Sequence, residues 1–251
     1  MSDDLEEYGD PLNYDCEYGS FEPDGLFYLS LANQINGPIL DLGCGTGRLT
    51  IPFAKKGLSI VGFDNSPIML KRAKEKSPDV NVEWIQGDFL SFRIANKFNF
   101  IFIAGNAFQA VLTNDDQNIF LSNVKDHLAS TGLFVFCTRN PNLTELAREN
   151  QEEYWHTYRD EIGREVKAFG YHSYDRLTQI ATYITHRYQE LLIKKSTTKI
   201  SLRYTFPQEM EALLKHNGFK VIHKYGGYCG EIFDGKQEQI IYICSLVENF
   251  Q

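Results

Sequence analysis

Between Pro38 and Val135, short apolar runs alternate with segments whose apolar positions recur at helical spacing, the pattern of successive βαβ units around a parallel sheet. Residues 39–42, 59–63, 82–85, 100–104 and 133–137 are predicted as five strands, with Gly37-Pro38 punctuating the entry to the first. Helices fill the gaps. Gly57 closes the one containing Ile51, Phe53 and Ala54, Thr113 and Asp116 form a capping box at the start of another, and Gly132 is expected to stop it. Within that helix Phe120, Val124 and Leu128 lie four residues apart and present one stripe to the sheet, and His127 beside them is read as structural.

Beyond Asn140-Pro141 the pattern changes. Residues 142–151 are polar and helix-compatible, and a stretch dense in Tyr, His and Thr then runs to about residue 203 with a period closer to two. Segments 166–171, 178–185 and 188–194 are predicted as antiparallel strands, with a turn near Tyr174-Asp175. The first pattern then returns: a helix over 207–215 opening on Pro207, a stop at Asn217-Gly218, a strand over 219–224 and a final strand over 240–244. The expectation is a single α/β domain over 1–251, with 142–203 inserted as a β-rich lid or substrate subdomain.

With 251 residues, the chain has enough length to bury one sizeable core, and its 43% hydrophobic and 23% charged residues are ordinary for a globular protein. A net charge of -8 opposes a phosphate backbone, so nucleic acid is not the expected partner. The basic clusters Lys71, Arg72, Lys74, Lys76 and Lys194, Lys195, Lys199 are short and interrupted, and read as solvated faces. The acidic stretch 1–10 is unlike a signal peptide and no apolar run reaches membrane-spanning length, so a cytoplasmic address is expected. Cys16, Cys44, Cys137, Cys229 and Cys244 contain no CxxC pair, which points to reduced thiols and to neither a disulfide framework nor a metal site.

The candidate chemistry begins where the first strand enters its helix. Asp41-Leu42-Gly43-Cys44-Gly45-Thr46-Gly47 has glycines that let the backbone turn sharply and approach a ligand. In the dinucleotide fingerprint a third glycine would fall at position 48, where this chain has Arg48. An acidic residue before the loop disfavours a pyrophosphate and suits a ligand bearing an ammonium group, such as a methionine moiety.

The run 39–47 resembles the first motif of the class I, Rossmann-like S-adenosylmethionine-dependent methyltransferases, with every family position filled. This resemblance implies a seven-stranded, mostly parallel sheet with an antiparallel final strand, S-adenosylmethionine as cofactor and S-adenosylhomocysteine as product. It carries cofactor contacts onto Asp41, Gly43, Cys44, Gly45 and Gly47. Asp64, ending the second strand, would accept hydrogen bonds from the ribose hydroxyls. Asp88, in Gly87-Asp88-Phe89 after the third strand, would bind the adenine amino group. Asn65 and Met69 would flank adenine, and Phe89 would pack on it. The three aspartates are spaced about 20 residues apart, as βα units require, and so share one sheet edge.

Asn106 and Phe108, after the fourth strand, would lie nearest the sulfonium and the acceptor. The Pro-Pro-aromatic motif of DNA amino-methyltransferases and the Pro-Cys pair of cytosine C5 enzymes are both absent. The chain is more similar to a subgroup of small-molecule methyltransferases with a Tyr-Asp pair before the first strand and a β-rich insertion after the fifth. Tyr14-Asp15, Asn140-Pro141, Ser173-Tyr174-Asp175 with Thr178-Gln179, Arg203-Tyr204 and Tyr225-Gly226-Gly227-Tyr228 carry that similarity, although the subgroup has Gly-Asp where Gly226-Gly227 stands.

The resulting expectation is methyl transfer to N or O of a small-molecule acceptor, with no nucleic acid and no membrane partner. Tyr14 is expected to close over the methyl group, assisted by Asn106 or a histidine of the insertion. Phe108, Tyr171, Tyr174, Arg203 and Tyr204 are expected to line the acceptor pocket. A cofactor-binding protein without catalysis and an NAD-dependent oxidoreductase remain the alternatives.

Overall fold

The computed structural model describes residues 5–20, 22–148, 150–189 and 193–247. Two N-terminal helices, α1 (Pro11–Tyr18) and α2 (Asp24–Ala32), precede the first strand. The alternating region then forms β1 (Ile39–Leu42), α3 (Thr50–Lys55), β2 (Ile60–Asp64), α4 (Pro67–Lys76), β3 (Glu83–Gln86), β4 (Phe98–Ile103), α5 (Asn114–His127) and β5 (Leu128–Arg139). After the short α6 (Leu143–Leu146) come β6 (Glu153–Arg159), β7 (Glu165–Asp175), β8 (Ile180–Gln189) and β9 (Ile193–Arg203). The chain ends with α7 (Pro207–His216), β10 (Phe219–Tyr225) and β11 (Gln239–Leu246).

Seven strands form one sheet in the order β10-β11-β5-β4-β1-β2-β3, and β6-β7-β8-β9 form a second, antiparallel sheet. The first five strands pair in parallel, while β11 runs antiparallel to both β5 and β10. This is the α/β architecture implied by the resemblance. The strand order reverses between β1 and β4, which opens a crevice at the carboxyl ends of β1, β2 and β4.

Alternation along each strand sends its side chains into one of two cores. Leu40 and Leu42 face Phe120, Val124, Met210 and Leu214 of α5 and α7, whereas Ile39, Phe100 and Phe102 face Phe27 and Tyr28 of α2. Both faces of the parallel strands are therefore covered. The predicted caps form as read: the Thr113 hydroxyl accepts the Asp116 N–H at 3.1 Å, and Pro207 opens α7. His127 is buried, its Nδ1 2.7 Å from the Asn123 carbonyl and its Nε2 accepting the Ile94 N–H at 2.9 Å.

Three expectations need correction. Gly132 does not stop a helix, because α5 ends at His127 and Gly132 lies inside β5; a Cβ there would meet Leu128 Cδ1 at 2.8 Å and the Phe98 carbonyl at 3.0 Å. Among the described residues of the polar segment 142–151, helix is confined to Leu143–Leu146. The predicted strand 188–194 does not form as one unit: residues 188–189 end β8, residues 193–194 begin β9, and 190–192 lie outside the described residues, as do residues 1–4 of the acidic start.

Helix α1 ties the two sheets together. Asp10 caps it by accepting the N–H groups of Leu12 and Asn13, and Pro11 occupies its first position. On one side the Asp15 carboxylate accepts from Thr46 Oγ1 at 2.6 Å, Lys76 Nζ at 2.6 Å and Arg72 Nε at 2.9 Å. Burial alone would raise its pKa, but the hydrogen bonds of Lys76, Thr46 and Arg72 outweigh that and hold it below the usual range. On the other side Glu17 accepts from Arg187 Nε at 2.7 Å and contacts His156 Nε2 at 2.9 Å, and the Tyr158 hydroxyl donates to Asn13 Oδ1 at 2.6 Å. Arg187 also pairs with Glu7 and donates to Thr198 Oγ1, and it is only 1% exposed.

Removing one member of a buried ion cluster strands the charges that remain. Arg187→Met is therefore expected to cost about 3–5 kcal/mol in denaturant unfolding. A loss below about 1 kcal/mol, the range of an exposed ion pair, would show that this cluster does not hold the second sheet in place.

Candidate cofactor and acceptor site

The crevice is built from strand ends. Asp41, next to last in β1, is 3% exposed and accepts the Thr50 hydroxyl at 2.6 Å. Burial pushes its carboxyl up to about 7, against the opposing hydrogen bond from Thr50. A carboxyl held this way gains most from a cationic ligand group. Asp64 ends β2, and its two oxygens accept the Ser66 N–H and the Gly45 N–H, each at 2.8 Å. Burial raises this carboxyl too, while the backbone donors oppose the rise. Each oxygen keeps a lone pair for a further donor.

The glycine loop is shaped by close contacts. Gly45 has φ +54°, and a Cβ there would stand 3.3 Å from the Met69 methyl group. Gly47 has φ +78°, and a Cβ would meet the Trp84 ring at 2.7 Å. Cys44 is buried in the same loop, its thiol held well above its usual pKa by burial, so it is not a reactive thiolate. Arg48, at the position of the missing third glycine, makes a bidentate ion pair with Asp24 at 2.7 and 2.6 Å. The residue that breaks the dinucleotide fingerprint thus anchors α2 to the loop.

Along the same edge, Asn65 is exposed, Met69 is buried, and Asp88 is exposed with its carboxylate accepting the Leu90 N–H at 2.6 Å. Gly87 packs against the Phe63 ring, where a Cβ would clash at 2.6 Å. Phe89 lies half-buried with its ring centroid 6.2 Å from that of Phe63. Asn106 follows β4 with φ +61°, and its Oδ1 is buried without a hydrogen-bond partner. An unsatisfied oxygen beside the crevice is a polar group that a ligand donor would satisfy.

A cavity of about 1500 Å³ opens beside this edge, reaching from Tyr14, Gly105 and Asn106 to the second sheet. Its walls include Tyr8, Trp155, Tyr171, His172, Tyr183 and Tyr204. The Tyr14 hydroxyl is shifted above its ordinary pKa by burial, a rise the neighbouring Arg48 opposes. Of the residues expected to line the acceptor pocket, Tyr171 and Tyr204 reach the cavity wall. The structure does not bring Phe108, Tyr174 or Arg203 there. Phe108 is 1% exposed between Phe120 and Phe136, Tyr174 packs edge-on against Tyr204, and the Arg203 guanidinium is held by Glu209 at 2.9 Å and Asn114 at 2.6 Å. These side chains are turned to local partners that a sequence does not display, although the buried Arg203 Nε has no hydrogen-bond partner of its own.

Several cavity residues were not singled out by the sequence pattern. Trp155 lies on β6, a strand masked by its mixed aromatic and charged composition. Arg139 follows Thr138 at the end of β5 and borders the quoted Asn140-Pro141. Extending β5 by two residues would have placed its side chain at the sheet edge. His172, by contrast, is one of the insertion histidines put forward from the sequence; it has a buried Nε2 without a hydrogen-bond partner, and its ring is tilted by 35° to that of Tyr183 with 5.3 Å between centroids.

Comparison with known proteins agrees with this geometry. Residues 39–132 match the methyltransferase domain family. The cypemycin N-terminal methyltransferase of a Streptomyces species is 24% identical over 82% of this chain and 81% of its own length. The CcbJ methyltransferase structure from Streptomyces caelestis superimposes with a TM-score of 0.84, covering 99% of this chain and 100% of that one at 22% identity. The S-adenosylmethionine-bound CalS10, an amino pentose methyltransferase from Micromonospora echinaspora, gives a TM-score of 0.71 over 91% of this chain and 94% of that one at 18% identity.

Residues 39–132 thus carry a methyltransferase domain, and the chain around them has the Rossmann-like fold of the class I S-adenosylmethionine-dependent methyltransferases. No helix among the described residues is long and apolar enough to cross a membrane, and no cluster of potential metal ligands occurs among them.

The raised carboxyl of Asp41 gives a signed expectation. An acid of pKa about 7 in the free protein must lose its proton to pair with an ammonium group. Affinity for S-adenosylhomocysteine should be full above about pH 7 and fall by up to about tenfold per unit below it, until the lower pKa of the bound form is reached. Calorimetric titration between pH 5.5 and 8 checks this as an order-of-magnitude slope. The same slope in Asp41→Asn would contradict the assignment.

Proposed function

We propose that this enzyme transfers a methyl group to a nitrogen or oxygen of a small-molecule acceptor held in the cavity between the crevice and the second sheet. The observation that carries the reading is the cavity itself, whose wall joins Tyr14 and Asn106 to the aromatic face of β6–β9. Its size suits a small molecule, and its concave aromatic lining is unlike the open basic surface a nucleic acid requires. We place the reaction in the cytoplasm, and read 142–203 as a substrate subdomain inserted in a single domain over 1–251.

The cofactor supplies an activated methyl group, and the chain's own residues supply alignment, exclusion of water and proton transfer. Asp41 and the loop 43–47 hold the methionine end in this reading, with Asp64 on the ribose and Asn65, Met69, Gly87, Asp88 and Phe89 around adenine. Tyr14, carried on α1, covers the junction of crevice and cavity and orients the acceptor. An amine must be neutral, and a hydroxyl must lose its proton, before it attacks. The free Nε2 of His172 is a suitable proton acceptor on the cavity wall. The cypemycin enzyme is named for an N terminus and CalS10 for an amino pentose, which favours nitrogen.

A panel of amino sugars, amino acids, peptides and phenols, scored by S-adenosylhomocysteine release, tests the reading. Tyr14→Phe is expected to lower kcat by about tenfold or more while leaving S-adenosylhomocysteine affinity within about threefold. His172→Gln should lower kcat while leaving S-adenosylhomocysteine affinity within about threefold. Turnover unchanged in Tyr14→Phe removes the role of that tyrosine. Absence of turnover across the panel, with the cofactor bound, favours a cofactor-binding protein that has lost catalysis.

A further inference from the structure

Among the described arginines that are not exposed, all but Arg139 on the cavity wall have a carboxylate partner. Three little-exposed arginines each have a carboxylate: Arg48 has Asp24 at 2.6 Å, Arg187 has Glu17 at 2.7 Å, and Arg203 has Glu209 at 2.9 Å. Arg139 has none within salt-bridge distance among the described residues. Its guanidinium lies over the Tyr183 ring, 5.1 Å from the centroid, and its electrostatic neighbours are Tyr183 and Tyr204. The hydroxyls of those two tyrosines hydrogen-bond to each other at 2.6 Å.

Other charged groups line the cavity, but they are engaged or solvated. Glu7 is paired with Arg187, while Glu145, Arg148, Glu153, Lys236 and Glu238 are exposed. A guanidinium does not shed its proton, so burial leaves it charged, and a planar fork of donors facing a cavity matches carboxylate and phosphate geometry. Arg139 ends β5, and Asn106 follows the neighbouring β4; the Asn106 N–H points to Cys137 Sγ at 3.4 Å. The cation therefore sits one strand away from the crevice, on the acceptor side.

We infer that Arg139 is the anchor for a carboxylate or phosphate group on the methyl acceptor, and that this contact selects anionic acceptors over neutral ones. The inference rests on the proposed function, because it takes the cavity as the acceptor site. The ion pair forms at the end of β5, away from the sulfonium pocket, and leaves the far end of the acceptor to approach Asn106 and Tyr14. Tyr183 contacts both Arg139, by a cation–π approach at 5.1 Å, and the His172 ring, with 5.3 Å between centroids.

The test uses the full chain saturated with S-adenosylhomocysteine and reads Trp155, in the cavity wall, by fluorescence while benzoate, phenyl phosphate or benzamide is added. At least one anion should bind about tenfold or more tightly than isosteric, neutral benzamide. Whichever anion binds more tightly identifies carboxylate or phosphate as the source. Arg139→Met should abolish that preference, and Arg139→Lys, which keeps the charge and guards against misfolding, should retain part of it. Equal binding of all three probes, absence of anion binding at 10 mM (about −2.7 kcal/mol), or an undiminished preference in Arg139→Met overturns the inference. Loss of S-adenosylhomocysteine affinity in both variants overturns it as well, by assigning Arg139 to the cofactor. Failure of the wild-type chain to bind S-adenosylhomocysteine instead counts against the proposed function, and the saturating titration reads that separately.

Discussion

The carboxylate of Asp64 accepts the backbone N–H of Gly45 across the gap between the ends of β2 and β1, and its other oxygen accepts the N–H of Ser66 at the start of α4. One buried side chain thereby fixes three pieces of backbone relative to one another. Three glycines give the loop freedom, and this contact restricts it together with the Phe63 carbonyl, which accepts the Gly43 and Cys44 N–H groups at 2.8 and 3.0 Å, and the Thr46 bond to Asp15. Met69 and Trp84 complete the seat from below, touching the space where Gly45 and Gly47 would carry a Cβ. The crevice is thus a consequence of parallel strand register plus a carboxylate whose burial is offset by backbone donors.

Helix α1 extends that order outward. Its Asp15 holds Thr46 of the loop and Lys76 at the end of α4, while Glu17 and Asn13 hold Arg187 and Tyr158 on the second sheet. The β-rich insertion therefore reaches the cofactor loop through one helix of eight residues, and Tyr14 lies on that helix between the two anchoring sets. This arrangement joins the elements that would hold a cofactor to those that would enclose an acceptor.

Much of the Rossmann-like part was legible because parallel strands covered on both faces read as unbroken apolar runs, and glycine and proline mark where they turn. The errors fall where local pattern and tertiary contact disagree. Gly132 looks like a helix stop, yet it serves the close approach of β4 to β5. The insertion is harder to delimit, since its strands mix Tyr, His, Lys and Thr and their apolar alternation is weak. Among the candidate site residues, Asp41 and the glycines stand out in their own motif, and Asp64 through the family resemblance. Arg139 and Arg187 differ from surface arginines only in what surrounds them, and no period in the chain announces a buried cation or its partner. Phe108 and Arg203 illustrate the converse, residues near a motif whose side chains turn to other neighbours.

The domain match over 39–132 covers the part of the chain that holds the crevice, and the superposition on CcbJ extends the fold across the insertion. The account turns on Asp64 shaping that crevice. Calorimetric titration of S-adenosylhomocysteine into the wild-type chain and into Asp64→Ala tests it most directly, with a melting curve to confirm that the variant is folded. The account predicts one site per chain in the wild type and an affinity weakened about a hundredfold or more in Asp64→Ala, the scale of two charge-assisted hydrogen bonds. Equal affinity in a folded Asp64→Ala would contradict it.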